Sequence, residues 1–274
     1  MSEIIKICKD VYFENQYNED KYDLPSNLSL ADYNTIIVNG SSADGNTAVK
    51  FYNANGQEAF VMWNNKCSNA TDWYYGLRAE DKNQTIKTIG IMSQDTGKYS
   101  ATINSVTFKQ MDKYEIAMKI MEERCGSGKG EGFERDEVIA LATIANSPNS
   151  AGNPRPAVRM VCAYYEEGIF YVSTGASKNK MLQIEKNNEV SVAGLGWYSF
   201  QGIAENLGWV KDEKNAEIRT KFKKYFGWFE EVGNEDSPDS IVLRITLTTG
   251  TIIDNEKKYG EHQYEVDFVN KTVK

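Results

Sequence analysis

The stretch from Pro156 to Val192, PAVRMVCAYYEEGIFYVSTGASKNKMLQIEKNNEVSV, decides how this chain is read. Ala157–Tyr164 and Ile169–Thr174 are rich in β-branched and aromatic residues and predict strands. Lys180–Asn187 predicts a helix, and Val190–Gly194 another strand. Arg159 lies inside an apolar strand, between Val158 and Met160, and strand alternation puts it on the face opposite those two. A half-buried arginine needs an anionic partner. Ser173, Thr174, Ser177, Lys178 and Lys180 crowd the turn between a strand end and a helix start. Hydroxyls, backbone N–H groups and two ammoniums there form a candidate phosphate cradle. The alternative is a structural Arg–Glu pair beside a solvated Ser/Lys turn, and spacing alone favours that plainer reading.

Outward from this stretch, the second half continues as mixed structure. Val138–Ile144, Tyr198–Leu207 and Ile241–Thr248 predict strands, and Glu213–Phe226 predicts a helix. Ile218, Phe222, Tyr225 and Phe229 form its core-facing stripe. Upstream, Asp112 can cap a helix carrying Ile116, Ile120 and Met121, which Gly126, Gly128, Gly130 and Gly132 stop. The run GSGKGEG lacks the spacing of a phosphate loop and follows a helix instead of opening one, so it reads as a flexible loop. The texture changes near residue 110. Before it, Asn34–Asn39, Thr47–Asn53, Glu58–Trp63, Thr85–Met92 and Tyr99–Phe108 predict short strands with no helical period. Asn55-Gly56 marks a hairpin, because both residues tolerate positive φ. The expected organisation is mainly β with flanking helices: a β-sandwich over 1–110 and a second domain over 111–274.

Composition excludes several functions. A net charge of −8 argues against a sequence-independent grip on nucleic acid, while leaving room for a local basic pocket. No run approaches the roughly eighteen consecutive apolar residues that a spanning helix needs. The N-terminal MSEIIKICKD lacks a secretory apolar region, which makes the cytoplasm the expected location. Cys8, Cys67, Cys125 and Cys162 are widely spaced and expected to be free thiols. His262 is the only histidine, which excludes a multi-histidine metal site and disfavours a Ser-His-Asp triad. It reads as a solvated residue.

Taken in order, Pro156–Val161, Ile169–Tyr171, Ser177–Lys180 and Gln183–Val192 resemble the pyridoxamine 5'-phosphate oxidase-like family of flavin-binding split β-barrels. The glycine-containing strand Phe200–Leu207 is similar too, and the resemblance covers about residues 112 to 255. It implies a C-terminal split β-barrel of FMN-binding type, usually a homodimer with FMN between subunits. It implies that Arg159 and Lys180 contact the FMN phosphate, with Ser177 or Lys178 assisting. Met160 and Val161 would lie near the flavin ring. Tyr171, Ser173 and Thr174 would line the ribityl and phosphate side, and Trp197 would approach the flavin of the other subunit. Three departures stand out. The turn between Phe170 and Lys180 is a little longer than in the oxidase proper. The basic C-terminal substrate motif is missing, since the chain ends in EHQYEVDFVNKTVK, which argues against pyridoxal phosphate synthesis. Glu189 stands where a basic residue is common.

A flavin brings its own redox chemistry, so such an oxidoreductase needs neither a histidine base nor a metal. The resemblance implies hydride transfer with an unnamed small molecule; the alternative is a non-catalytic flavin or small-ligand binder. The first half more distantly resembles carbohydrate-binding or galactose-binding-like sandwiches in Leu30–Val38, Val49–Gly56, Ile89–Met92 and Ala101–Phe108. That leaves a glycan as a third class of ligand. Trp63 is expected in the sandwich core, while Trp73, Tyr74 and Tyr75 read equally well as core or as sugar-stacking faces.

Overall fold

The structure is a computed structural model that describes residues 2–13, 18–42, 45–64, 67–93, 99–126 and 136–274. Beyond Gly126, the GSGKGEG run lies outside the described residues. The chain divides into two compact units, 1–112 with 256–261 and 113–255 with 262–274. Among the described residues, no helix is long and apolar enough to cross a membrane.

The first unit is two four-stranded antiparallel sheets. One has the order β1 (Ser2–Phe13), β8 (Tyr99–Lys109), β3 (Thr35–Ser42), β6 (Cys67–Gly76). The other has the order β2 (Glu19–Ser29), β7 (Thr85–Ser93), β4 (Thr47–Asn53), β5 (Glu58–Asn64). Alternation sends Ile36, Val38, Val106 and Phe108 from the first sheet, and Val49, Phe51, Ile89 and Ile91 from the second, into one core. Phe51 stacks on Phe60 at 4.7 Å and meets Phe108 edge-on at 6.1 Å. The β4–β5 connection is a hairpin, but only Gly56 takes a positive φ, at 75°. The Asn53 carboxamide oxygen accepts the N–H groups of Asn55 and Gln57, which makes a longer loop than a two-residue turn.

Trp63 corrects one expectation. Phe60 and Met62 of β5 point into the core, so the period of two puts Trp63 outside, 51% exposed. Trp73 and Tyr75 pack against the core. Three strands, β1, β2 and β6, were not predicted from sequence. β6 is largely polar and exposed, and β2 carries Pro25 inside a register break between Asp23 and Leu28 on a sheet edge.

The second unit opens with α1 (Lys113–Arg124), which buries Ile116, Ile120 and Met121. Six strands then close a barrel. They are β9 (Asp136–Ile144), β10 (Pro156–Glu166), β11 (Ile169–Gly175), β12 (Glu189–Gly194), β13 (Tyr198–Trp209) and β14 (Ser240–Ile253). Their order is β11-β10-β9-β12-β13-β14, with β14 pairing back to β11, while β15 (Gln263–Asp267) and β16 (Thr272–Val273) extend the sheet from β14. The interior is filled by side chains. Tyr165, Phe170, Tyr198 and Phe200 succeed one another at ring separations of 5.2, 6.0 and 5.1 Å. At Gly202 the β13–β14 register shifts, and a Cβ there would come within 2.8 Å of the Thr246 carbonyl oxygen. Helix α2 (Asn179–Lys186) buries Met181 and Ile184. A 3-10 turn over Glu213–Asn215 leads into α3 (Ala216–Tyr225), followed by α4 (Phe229–Val232). Phe222, Phe226 and Phe229 are buried together there, with Ile218 and Tyr225 at the margin.

Candidate functional site

The barrel is parted between two of its strands. β10 and β11 pair only through Tyr164–Glu166 with Ile169–Tyr171. Beyond that, β11 follows β14 until Gly175 lies opposite Ser240, while β10 follows β9 until Pro156 lies opposite Ile144. Strands that follow different partners must separate. Arg159 and Val161 sit on one side of the parting, and Ser173, Thr174 and Gly175 on the other.

Arg159 lies opposite Leu141 of β9, on the inward-facing set of β10, whereas Val158 and Met160 point outward and are 65% and 54% exposed. The expected anionic partner is not found among the described residues. The guanidinium instead donates to three neutral acceptors: the Leu141 carbonyl at 3.2 Å, Thr143 Oγ1 at 2.7 Å and Gln183 Oε1 at 2.8 Å. Burial pushes its pKa down, because desolvation disfavours a charge that no carboxylate offsets. Lys180 at the start of α2 is also held below the usual lysine range, first by desolvation and then by the positive charges of Arg159 and Lys178. Three cations therefore share one neighbourhood, and Arg159 and Lys178 repel the Lys180 ammonium. Such a cluster suits an anion with more than one charged oxygen.

The turn leading to α2 is organised by a residue that sequence reading missed. Asp239 accepts the Ser177 N–H at 2.8 Å and the Ser177 hydroxyl at 3.0 Å, and its carbonyl accepts the Ala176 N–H at 2.7 Å. Ser177 is thus committed to Asp239. Ser173, Thr174 and Lys178 line a polar cleft of about 310 Å³ with Trp228, Asn234 and Asp239. Thr143 also borders a larger groove of about 600 Å³, whose walls include Ala142, Ile144, Val190, Gln201 and Ile203.

The remaining predicted residues are dispersed. Val161 lies opposite the buried Ile139, facing inward, while Met160 faces outward in one apolar strip with Val138 and Val158. Tyr171 packs in the cluster of Tyr164, Phe222 and Phe226, away from Arg159, and burial followed by the Glu166 charge raises its pKa. Trp197 meets Tyr198 edge-on at 4.5 Å and lies under the Arg124 guanidinium at 5.1 Å. Thr143 and Gln183 were not assigned a role from sequence, though signals existed. Thr143 is a polar residue on the inward period of Val138–Ile144, and Gln183 is one helical turn from Lys180. Cys67, Cys125 and Cys162 are free thiols, and His262 is exposed.

The second unit is thus a small antiparallel barrel, parted between β10 and β11, with Arg159, Lys178 and Lys180 near the parting. Residues 131–254, which include the six barrel strands, match the family described as Pyridoxamine 5'-phosphate oxidase. No curated protein matches the chain. Among solved structures, it is similar to a pyridoxamine 5'-phosphate oxidase-related, FMN binding protein from Nostoc punctiforme. Identity there is 16%, over 57% of this chain and 89% of that one, with a TM-score of 0.36. It is similar to Campylobacter jejuni ChuZ at 14% identity, over 60% of this chain and 63% of that one, with a TM-score of 0.41. It is also similar to a low affinity xylan binding module from Roseburia intestinalis at 19% identity, over 40% of this chain and 84% of that one, with a TM-score of 0.32.

Proposed function

We propose that the barrel unit binds FMN, with the phosphate read by Arg159, Lys178 and Lys180, and that the protein is an FMN-dependent oxidoreductase acting on a small molecule. The observation that carries this reading is the half-buried Arg159 guanidinium at the parting, held by neutral acceptors only. A charge left unpaired inside a fold is costly unless a ligand completes it. The donor set fits a phosphate monoester, one planar guanidinium and two ammoniums for up to two negative charges. Bound flavin supplies hydride or electron transfer, and the chain's part is to bind it, orient it and shape access. The outward strip of Val138, Val158 and Met160 suits a second copy of the chain, so the acting form is a homodimer with the flavin near the subunit boundary.

The test is to purify the full chain, record its visible spectrum and titrate the stripped protein with FMN and with riboflavin. FMN should bind much more tightly, and Arg159→Ala with Lys180→Ala should remove that preference while leaving the fold intact. Equal binding of both flavins by the wild type would overturn the phosphate assignment. Reduction of the bound flavin by NADH or NADPH, followed by turnover with an acceptor, separates an oxidoreductase from a non-catalytic flavin binder.

One observation favours a second reading for the sandwich unit. Trp63 lies on an edge strand with half its surface in water, an arrangement in which an indole face can stack on a sugar. On this reading the sandwich binds a glycan through Trp63. Isothermal titration with xylan and mannan oligosaccharides, with Trp63→Ala as the control, decides it: no heat with either sugar removes the reading.

A further inference from the structure

Arg159, Thr143 and Gln183 form a closed triangle. The two guanidinium nitrogens Nη1 and Nη2 donate to Thr143 Oγ1 at 2.7 Å and to Gln183 Oε1 at 2.8 Å. The third side is the Thr143 hydroxyl donating to the same Gln183 oxygen at 2.6 Å. The three residues come from β10, β9 and α2, so the triangle ties two strands of the barrel to the helix beside the parting. A guanidinium offers donors only, so the Gln183 atom facing it must be the oxygen. The threonine proton goes to that oxygen as well, which fixes the amide in one orientation. Gln183 Nε2 then points away from the arginine, and no hydrogen-bond partner for it is found among the described residues. Thr143 is 2% exposed, so its hydroxyl is largely shielded from bulk water.

We infer that Thr143 and Gln183 are positioning residues for the anion, holding the Arg159 fork in one plane. This rests on the phosphate reading above. Chemistry explains the choice of neutral partners. A carboxylate at position 183 would hold the guanidinium equally well, but it would also pair with the charge and leave less attraction for a ligand. A hydroxyl and an amide oxygen orient the charge without neutralising it. Orientation matters because the fork-to-oxyanion contact is directional, so an arginine free to rotate loses part of its advantage over a lysine.

The experiment uses the full chain and measures dissociation constants for FMN and riboflavin, with thermal melting as a control. Thr143→Val keeps the side-chain volume and removes the hydroxyl. It should weaken FMN about tenfold, the size of a lost hydrogen bond to a charged group, and leave riboflavin binding unchanged. Thr143→Ser should restore most of the FMN affinity, which a purely space-filling role does not predict. Gln183→Glu keeps the acceptor but pairs the charge, and should weaken FMN by at least about tenfold with riboflavin again unchanged. If the wild type prefers FMN and both variants keep that preference, the positioning role is wrong. If Thr143→Val or Gln183→Glu weakens both flavins alike and lowers the melting temperature, the triangle is only structural and the inference also falls. A wild type that does not prefer FMN overturns the phosphate reading itself, a different result from either.

Discussion

Asp239 grips Ser177 twice, through the backbone N–H at 2.8 Å and through the hydroxyl at 3.0 Å. The donors that a serine at a helix start could offer to a phosphate are therefore already engaged, and a carboxylate stands near Lys178 in the same cleft. Asp239 fixes the turn, and on the proposed phosphate reading its charge opposes the anion. Asp239→Asn separates the two effects, because a carboxamide can keep both contacts with Ser177 while losing the charge. FMN affinity should rise about threefold at low salt, and the gain should shrink as salt screens these exposed groups. Titrations at low and high sodium chloride check this. A fall in affinity would mean that the carboxylate itself is needed.

Lys180 gives the site a pH dependence. Desolvation and the neighbouring Arg159 and Lys178 depress its pKa, so the folded chain binds this proton less readily than the unfolded chain. By linkage, the free protein gains stability as pH rises from the depressed value to the ordinary lysine value. A bound phosphate reverses the preference by stabilising the ammonium. FMN binding should then take up a proton, and its affinity should fall as pH rises above neutral toward the ordinary lysine value, where the flavin phosphate is already ionised. Riboflavin binding should stay flat over that range. Lys180→Arg should remove the slope, because a guanidinium does not titrate there. Titrations of the wild type and Lys180→Arg across this range provide the check, and a flat FMN profile for the wild type would exclude Lys180 from the phosphate contacts.

Much of this arrangement was legible before the fold was known, and the limits are physical. The period of two placed Arg159 opposite Val158 and Met160, and in the structure Thr143 falls on the inward set of its own strand with Ile139 and Leu141. What the period does not contain is which strands are neighbours, so the Arg159–Thr143 contact could not be read from either strand alone. Asp239 was invisible for a related reason. It lies 62 residues from Ser177 in a connection without periodicity, and only the pairing of β11 with β14 brings the two together. Trp63 was misplaced by its hydrophobicity, which argued for the core, whereas the period of two in the phase set by Phe60 and Met62 puts it outside. Tyr171 shows the converse. Its neighbours Phe170 and Val172 fill the barrel, so alternation turns the phenol outward to α3.

Gly202 tests the geometry of the barrel wall. A Cβ at this position would lie 2.8 Å from the Thr246 carbonyl oxygen and 3.1 Å from Ile245 Cγ2. The first of these is backbone, which cannot move without disturbing the β13–β14 register. Gly202→Ala should therefore destabilise the protein by about 1–3 kcal/mol, the usual cost of forcing atoms into a packed site. Urea unfolding measures it. A midpoint equal to that of the wild type would show that the two strands do not approach this closely.

Arg124 anchors the end of α1 to the barrel. It donates to the carboxylate of the fully buried Asp254 at 2.5 Å and to the Ile253 carbonyl at 3.2 Å, and its guanidinium lies over the Trp197 ring. Arg124→Met keeps most of the aliphatic packing and removes the charge that faces the buried Asp254 carboxylate. Removal of one partner from such a pair typically costs about 3–5 kcal/mol, far more than the pair contributes against an apolar replacement of both. Arg124→Met together with Asp254→Leu should therefore be more stable than Arg124→Met alone. Denaturant titration of the single and double variants gives the comparison, with tryptophan emission reporting the loss of the cation over Trp197. If the double variant is no more stable than the single one, the loss in Arg124→Met comes from packing around Trp197 and not from the buried charge.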